Sequence, residues 1–597
     1  MTMLRVIVVC LLLLPTAAVA SELGMARLSL IRGDVQIYTE DTGAWVAASI
    51  NMPLREGDRI WVPEGARTEV HIQGGVYVRV GSASSLDILA LQEESYQFYL
   101  NGGHAYINNR RGGIDHIQVD TPQSSVGCYD NSLAMIDVAR SGATEVAVLK
   151  GYAAVETGRG KTRLEAGNAL HIGADLTAEL TPLAPPDAWE NWNRERDRTI
   201  AAGNRSLRYI PESLDDYGYE LDEYGRWVYV TDYGYCWTPL RVSVGWSPYR
   251  LGRWCWIGGD FVWVSYEPWG WLPHHYGRWT FVVNFGWCWV PPPAREVYWA
   301  PGYVGWVHTP THVAWVPLAP GEIYYGRGNY GPRSVNITNV TINRTVIQNF
   351  RNVNVRNAVT TVNRNAFVTG RQERVRVKDN PFKGANAEVG PPTAKPTRDA
   401  ARPVVRTIPP AKRPPERVRR VSVPEIKQER KLVPDEKGSV FRPERPGVAM
   451  PVKRVSEPKA KIHEERPAVT PAQPARRQPL LTRGEQKPPA KAPSAVQGRP
   501  ATQPSPSVPP AQRPPSAAPG RSEAPTSAGP PRTTPHKAQG IREPRWQEPV
   551  PVGKPSAPRR DVAPAKPVGQ GEPQKVKPEK RKFEQKPQQT VPAPAVK

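Results

Sequence analysis

The sequence is poor in the residues from which most catalytic and metal centres are built. It has 10 histidines and 5 cysteines in 597 residues. No Ser/His/Asp ordering, zinc-ligand spacing or phosphate-binding glycine loop stands out, so the chain is expected to hold no cofactor and no metal. His308 and His312 stand four apart, but Thr309-Pro310-Thr311 breaks the helix that such a ligand pair needs. With His274 and His275 they are read as structural. Apolar runs are scarce beyond the first 14 residues, and no later segment resembles a membrane helix. Helical periodicity is scarce as well.

Large apolar side chains are nearly missing from the C-terminal third. From Pro381 onward lie 46 of the 66 prolines, and after Phe382 the aromatics are Phe441, Trp546 and Phe583. Such a composition cannot offset the entropy lost on ordering, so 373–597 is expected to be a disordered Pro/Lys/Arg-rich tail. Charge follows the same division. Residues 381–597 hold 44 Lys plus Arg against 19 Asp plus Glu, a surplus of 25, while the whole chain carries +23 and the first 380 residues are therefore near neutral. The basic character belongs to the tail, which suits an anionic polymer or surface.

What the chain does have begins with an export signal. Arg5, the apolar run Val6 to Leu14 and the small-residue ending Ala18-Val19-Ala20 form a signal peptide over 1–20, with cleavage expected before Ser21. The protein is expected in the periplasm or cell envelope, without a transmembrane helix once the signal is removed. That compartment removes nucleic acid from the partners and leaves peptidoglycan, another anionic envelope polymer, or another envelope protein. Four cysteines remain, Cys128, Cys236, Cys255 and Cys288, and an oxidising compartment permits disulfides among them.

Residues 27–180 alternate short Val/Ile/Leu runs with Gly, Asp and Asn. Thr68 to Gln73, Gly74-Gly75 and Val76 to Val80 make a strong hairpin signal. The expected fold is all-β. Gly33-Asp34-Val35, Leu54-Arg55-Glu56-Gly57-Asp58-Arg59-Ile60, Gly102-Gly103-His104-Ala105-Tyr106-Ile107 and Val146 to Val155 resemble the FecR domain of bacterial periplasmic proteins. The resemblance implies that fold and compartment. The family's signalling relay needs a cytoplasmic segment and a membrane helix, for which this chain offers no sequence, so the relay is not carried over. Gly127-Cys128-Tyr129-Asp130-Asn131 departs from the family pattern.

A connector follows at 185–205. Asp187 with Glu190 three residues on forms a capping box, Trp189 and Trp192 share a helical face, and Gly203 ends the helix. The next stretch, 209–330, holds 14 of the 19 tryptophans. The triplet Gly-Arg-Trp occurs at Gly225, Gly252 and Gly277, each opening a β-hairpin with aromatics at every second residue. Cys236, Cys255 and Cys288 all fall on the face opposite those aromatics. A meander of hairpins favours pairing Cys236 with Cys255, and the equivalent repeat positions make Cys236 with Cys288 the competing pair. The repeats resemble a bacterial envelope domain of unknown function that commonly follows FecR-type domains.

So many tryptophans serve either as a small domain's core or as a stacking platform for sugars. The Pro- and Gly-rich stretch Ser265 to Tyr276 reads as a loop, which makes Tyr266, Trp269, Trp271, His274 and Tyr276 the candidate ligand-binding residues. Residues 334–370 read as Asn/Val-rich β segments edging this domain. The chain is therefore expected to be mainly β: a FecR-like domain, a helical connector, a tryptophan-rich hairpin domain and a basic tail. The expected function is that of an exported non-enzymatic binding or scaffolding module for cell-wall polymer or other envelope proteins. The alternative is a regulatory or sensory partner that uses the FecR-like fold for protein contact. A wall hydrolase built on Glu267 has only the distant Asp260 as a local second carboxylate.

Overall fold

The computed structural model describes residues 23–462 except 93–94, 111–115, 339–348, 373–374, 376–379, 385–386, 393–395 and 431–448. The segment expected to be a signal peptide and the tail beyond 462 lie outside the described residues. All described residues belong to one of the chain's two units, Met1–Pro479.

Two long sheets make up the first domain, and one strand belongs to both. The first half of Ser95–Asn109 pairs with Ser84–Gln92 and, in parallel, with His116–Asp120. Its second half pairs with Val76–Val80 and Leu133–Val138. Strict alternation then sorts the side chains. Val78, Ile107, Ile136 and Val146 of the first sheet meet Ile37, Ile60, Phe98 and Val155 of the second in one fully buried core. The residues between them point outward, and neither outer face is bare.

The connector helix, Ala188–Ala202, covers the outer face of the first sheet. Asp187 caps it as the sequence implies, its carboxylate accepting from the Glu190 amide at 2.7 Å, while the Glu190 carboxylate turns to Arg194 at 2.6 Å. Trp189 and Trp192 stack 5.3 Å apart, and Arg67 of the sheet lies over Trp192. Beneath the helix is a buried polar seam. The Glu69 carboxylate accepts from Arg79 (2.7 Å), Arg196 (2.7 Å) and Ser29 (2.8 Å). The two flanking guanidiniums hold its pKa far below the usual carboxylate range against the opposing cost of burial. Arg27 bonds Glu220 and donates to Asn51 at 2.6 Å, and Asn51 in turn donates to the main-chain oxygens of Ser265 and Glu267. First domain, connector and tryptophan-rich domain are thus tied by one set of buried hydrogen bonds.

The three Gly-Arg-Trp hairpins form as expected, at Gly225–Pro239, Gly252–Ser265 and Arg278–Val290. Each puts its triplet tryptophan directly opposite another: Trp227 with Trp237, Trp254 with Trp263, Trp279 with Trp289. A fourth hairpin, Val304–His308 with His312–Pro317, repeats the device with Trp306 and Trp315. The glycine of the triplet is explained by the second tryptophan. A Cβ on Gly225 would sit 2.1 Å from the Trp237 ring, one on Gly252 2.6 Å from Trp263, and one on Gly277 2.7 Å from Trp289.

The meander expectation fails at the middle hairpin. The first hairpin pairs with the third, through Trp237 and Trp289, while Gly252–Ser265 stands as a separate two-stranded sheet. Its faces are buried on different sides. Trp254, Phe261 and Trp263 enter the aromatic core, whereas Cys255, Ile257, Val262 and Val264 join the core cluster of the first domain. A hairpin apolar on both faces is lost to a sheet neighbour but gains two cores.

The expectation of disorder from residue 373 also needs correction for the part described. Phe382, Ala400 and Val418 are fully buried, Glu388–Val389 pairs with Val304–His308, and Val452–Arg454 pairs with Ala178–Pro182. Secondary structure stays sparse, as proline dictates, but scattered apolar side chains suffice to lay the segment on a surface already folded.

Two outcomes follow. At Gly277 φ is +65° and a Cβ would lie 2.4 Å from the Val290 oxygen, so Gly277→Ala should lower stability by about 1–3 kcal/mol in urea denaturation. Glu69→Ala leaves Arg79 and Arg196 buried without their common partner, and should cost about 3–5 kcal/mol by the same measurement.

Candidate functional site

The stretch expected to form a ligand-binding loop is a core element. Trp271–His275 is a short helix, and Trp269, Trp271, His274 and Tyr276 are all buried. Trp269 lies against Trp237 and Trp246 and stacks on His274; Trp271 lies beneath Arg27. His274 bonds the Gly270 oxygen at 2.6 Å, and the Tyr276 ring belongs to the aromatic core. Tyr266 is half-buried and donates to the Pro403 oxygen at 3.1 Å. None of the five presents a face for a ligand to stack on. The Gly and Pro that suggested a loop instead let this stretch turn tightly inside the domain.

Glu267 is buried with them. Its carboxylate accepts from the Trp246 indole (2.5 Å) and the Ser265 hydroxyl (2.9 Å), and His274 Nε2 is 3.9 Å away. Burial raises its pKa to about 7, and burial lowers that of His274 to about 3. Asp260, the other carboxylate considered, accepts from Tyr330 at 3.0 Å on the far side of its hairpin. His275 bonds the Ala300 oxygen, His308 the Gly390 oxygen, and His312 the Thr311 hydroxyl. Among the described residues no group of three His, Cys, Asp or Glu could hold a metal ion, and no helix is long and apolar enough to cross a membrane.

The exposed aromatic surface lies elsewhere, at the tip of the first hairpin. Across the four-stranded sheet runs a row of tryptophans, Trp227, Trp237, Trp289 and Trp279, of which the last three are buried. Outward from Trp227 on the same face come Tyr229 and Tyr235, which are 61% and 50% exposed. Tyr209, brought in by the turn after the connector, lies 4.7 Å from Trp227 and 4.6 Å from Tyr235, and Tyr229 stands 5.4 Å from Tyr235. Trp227 is fixed by donating to Ser206 at 2.8 Å. Arg208 lies against Tyr209, and Arg226 is exposed on the reverse face. The result is a continuous ledge of four rings edged by Arg208. Alternation alone assigned these tyrosines to the aromatic face. The usable signal was residue type, since tyrosine near a hairpin tip tolerates water where tryptophan at its root is covered.

Of the two cysteine pairs left open by the sequence, the favoured one, Cys236 with Cys255, is kept apart and the competing one is brought together. All four described are free thiols and buried. Cys255 sits in the first domain's core and donates to the Arg402 oxygen, away from the sheet that holds Cys236. Pairing Trp237 with Trp289 puts Cys236 and Cys288 on one face as diagonal neighbours across the strand pair. Burial raises both thiols, Cys236 to about 12 and Cys288 to about 11.

With this geometry in hand the comparisons with known proteins fall into place. Residues 58–154 match the family described as FecR protein, and residues 218–322 match a family of unknown function, DUF6600. The chain therefore carries a FecR domain followed by a DUF6600 domain, and the aromatic clusters described above belong to the second. No curated protein matches. Among solved structures, two crystal structures of a "putative anti-sigma factor" from Parabacteroides distasonis are similar, each at 16% identity and a TM-score of 0.19. In both cases the match covers 21% of this chain and 59% of that one.

Acid should act on the buried pairings in opposite directions. His274 and His275, with pKa values near 3 and 4, bind protons more readily unfolded than folded, so they withdraw stability as pH falls below about 6.5. Glu267, raised to about 7, contributes stability that is lost as pH rises from its unfolded value of 4.5 through 7. Glu267→Gln should consequently steepen the rise of stability between pH 5 and 7 in urea titrations. An unchanged slope would mean that Glu267 is solvated.

Proposed function

We propose that the protein is an exported, non-enzymatic envelope protein that binds a saccharide-containing cell-wall polymer. The observation that carries this reading is the ledge of Tyr209, Trp227, Tyr229 and Tyr235. Sugar rings present flat apolar C–H faces, and a row of partly exposed aromatic rings held from behind by a packed core matches such a repeating surface. Arg208 beside it, together with the surplus of 25 positive charges over residues 381–597, favours a polymer that also carries carboxylate or phosphate groups. Export rests on the N-terminal signal pattern. The non-enzymatic reading is supported by the fates of Glu267, buried, and Asp260, half-buried, which are bonded to different protein groups.

Titration of the mature chain with soluble peptidoglycan fragments, followed by tryptophan fluorescence, tests the reading. Tyr235→Ala should weaken binding roughly fivefold, about 1 kcal/mol, with the melting temperature nearly unchanged. Trp269→Ala should lower the melting temperature instead. Binding that ignores Tyr229 and Tyr235 together would place the ligand elsewhere.

Export has its own consequence for the thiols. An oxidising compartment would join Cys236 to Cys288 and leave Cys128 and Cys255 free. Non-reducing peptide mapping of protein isolated from the envelope should recover a Cys236–Cys288 linked peptide, and four free thiols there would count against this pairing.

A further inference from the structure

The outer face of the second FecR sheet is occupied by the chain's own residues 402–430, and the manner of its occupation is that of a peptide in a recognition groove. The groove's side chains donate to main-chain oxygens of the segment. Trp61 and Gln36 both donate to the Lys412 oxygen, Arg59 to that of Val418, and Gln97 to that of Arg430. Ion pairs add a charge preference, Arg406 with Asp34 at 3.2 Å and Lys427 with Glu56 at 2.8 Å. Its prolines at 403, 409, 410, 414, 415 and 424 divide it into short helical turns, Pro410–Lys412, Glu416–Arg419 and Val423–Glu429. The accepting carbonyls of Lys412, Val418 and Arg430 lie at the C-terminal ends of these turns, where helix carbonyls are left for donors from outside.

Two details indicate that the fit is incomplete. Gln36 Oε1 and Asp87 Oδ2 are buried acceptors with no hydrogen-bond partner, although Asp87 lies beside Arg59 at 2.9 Å. The segment satisfies the groove's donors and leaves these acceptors empty. The ion pairs that hold it are partly exposed, a class worth at most about 1 kcal/mol each. What keeps the segment in place is its attachment, since a tethered ligand acts at an effective concentration on the order of millimolar.

We propose that this face is a binding site for basic, proline-rich peptides, that residues 402–430 fill it in cis, and that a peptide of the same class from a partner protein can replace them. This goes beyond the saccharide reading and stands apart from it, because it uses the other domain and none of the ledge residues.

The test uses the full mature chain and a synthetic peptide of residues 402–430 carrying a benzophenone at position 411. On irradiation, wild-type protein should capture little peptide because its own segment competes. Val418→Asp, which makes a fully buried anchor of the tether polar, should raise capture at least roughly tenfold, in keeping with the lost effective concentration. The adducts should map between Asp34 and Trp61. Adding Trp61→Ala to that variant should abolish the gain. Val418 belongs to the tether and not to either domain core, and Arg430→Ala provides a second way to loosen it should Val418→Asp reduce yield. Equal capture by wild-type and loosened chains, or adducts that persist after Trp61→Ala, would overturn the proposal. Peptidoglycan binding measured on the same variants should stay unchanged, so failure here is distinguishable from failure of the saccharide reading.

Discussion

A β-hairpin normally has one wet face and one dry one, and Gly252–Ser265 has two dry ones. Trp254 and Trp263 project into the aromatic core on one side, while Cys255, Val262 and Val264 fill the first domain's core on the other. Neither core closes without it. Aromatic side chains bury on the order of 150–250 Å² each, so the two tryptophans alone commit a large apolar area to this junction. The relation of the two domains is therefore fixed by hydrophobic burial rather than by a linker. The polar seam of Arg27, Asn51 and Glu220 runs along the edge of the same junction, where each buried donor and acceptor must be matched or pay the cost of desolvation.

The same economy of faces explains the FecR domain. A sandwich buries the inner faces of its sheets and usually leaves the outer ones to water. Here the connector helix covers one outer face and a proline-rich segment of short helical turns covers the other. The coverings differ in kind. The helix brings Trp189, Trp192 and Arg196, one of the two arginines that neutralise Glu69, and becomes part of the domain. The segment brings few apolar side chains and relies on carbonyl oxygens and surface ion pairs, so it rests on the domain without being needed for its core.

Much of this could be read before the structure. Alternation of Val and Ile assigned the strands of the first domain, the Asp187/Glu190 spacing assigned the helix start, and the Gly-Arg-Trp triplets assigned three hairpins. What alternation could not reveal is which hairpins become neighbours, because period two describes a strand's faces and not its partners. A meander of hairpins accordingly favoured Cys255 beside Cys236 and kept Cys288 as the competitor, and the pairing of Trp237 with Trp289 makes Cys288 the neighbour. Exposure was hidden for a related reason. Trp269 and Tyr235 are both aromatic and both flanked by glycine, yet one lies among helices and hairpins and the other at a hairpin tip, a difference made by segments distant in sequence. The fourth tryptophan pair, Trp306 with Trp315, lacks the triplet and so escaped the repeat. The segment from 381 to 430 was legible as proline-rich and basic, and its docking was not, since docking depends on Val418 and Phe382 finding pockets that only the folded domains create.

The order in which these parts occur along the chain matches the order in which they are layered. The sandwich comes first, then the helix on its one face, then the hairpin that completes its core, and last the segment across its other face. A chain that leaves the ribosome or a translocon amino end first presents them in that sequence. Until residues 252–265 arrive, the first domain has an apolar opening where Val262 and Val264 will sit, and for that interval it is a client for whatever chaperones guard the route. The domain that begins the protein is thus among the last parts of it to be finished.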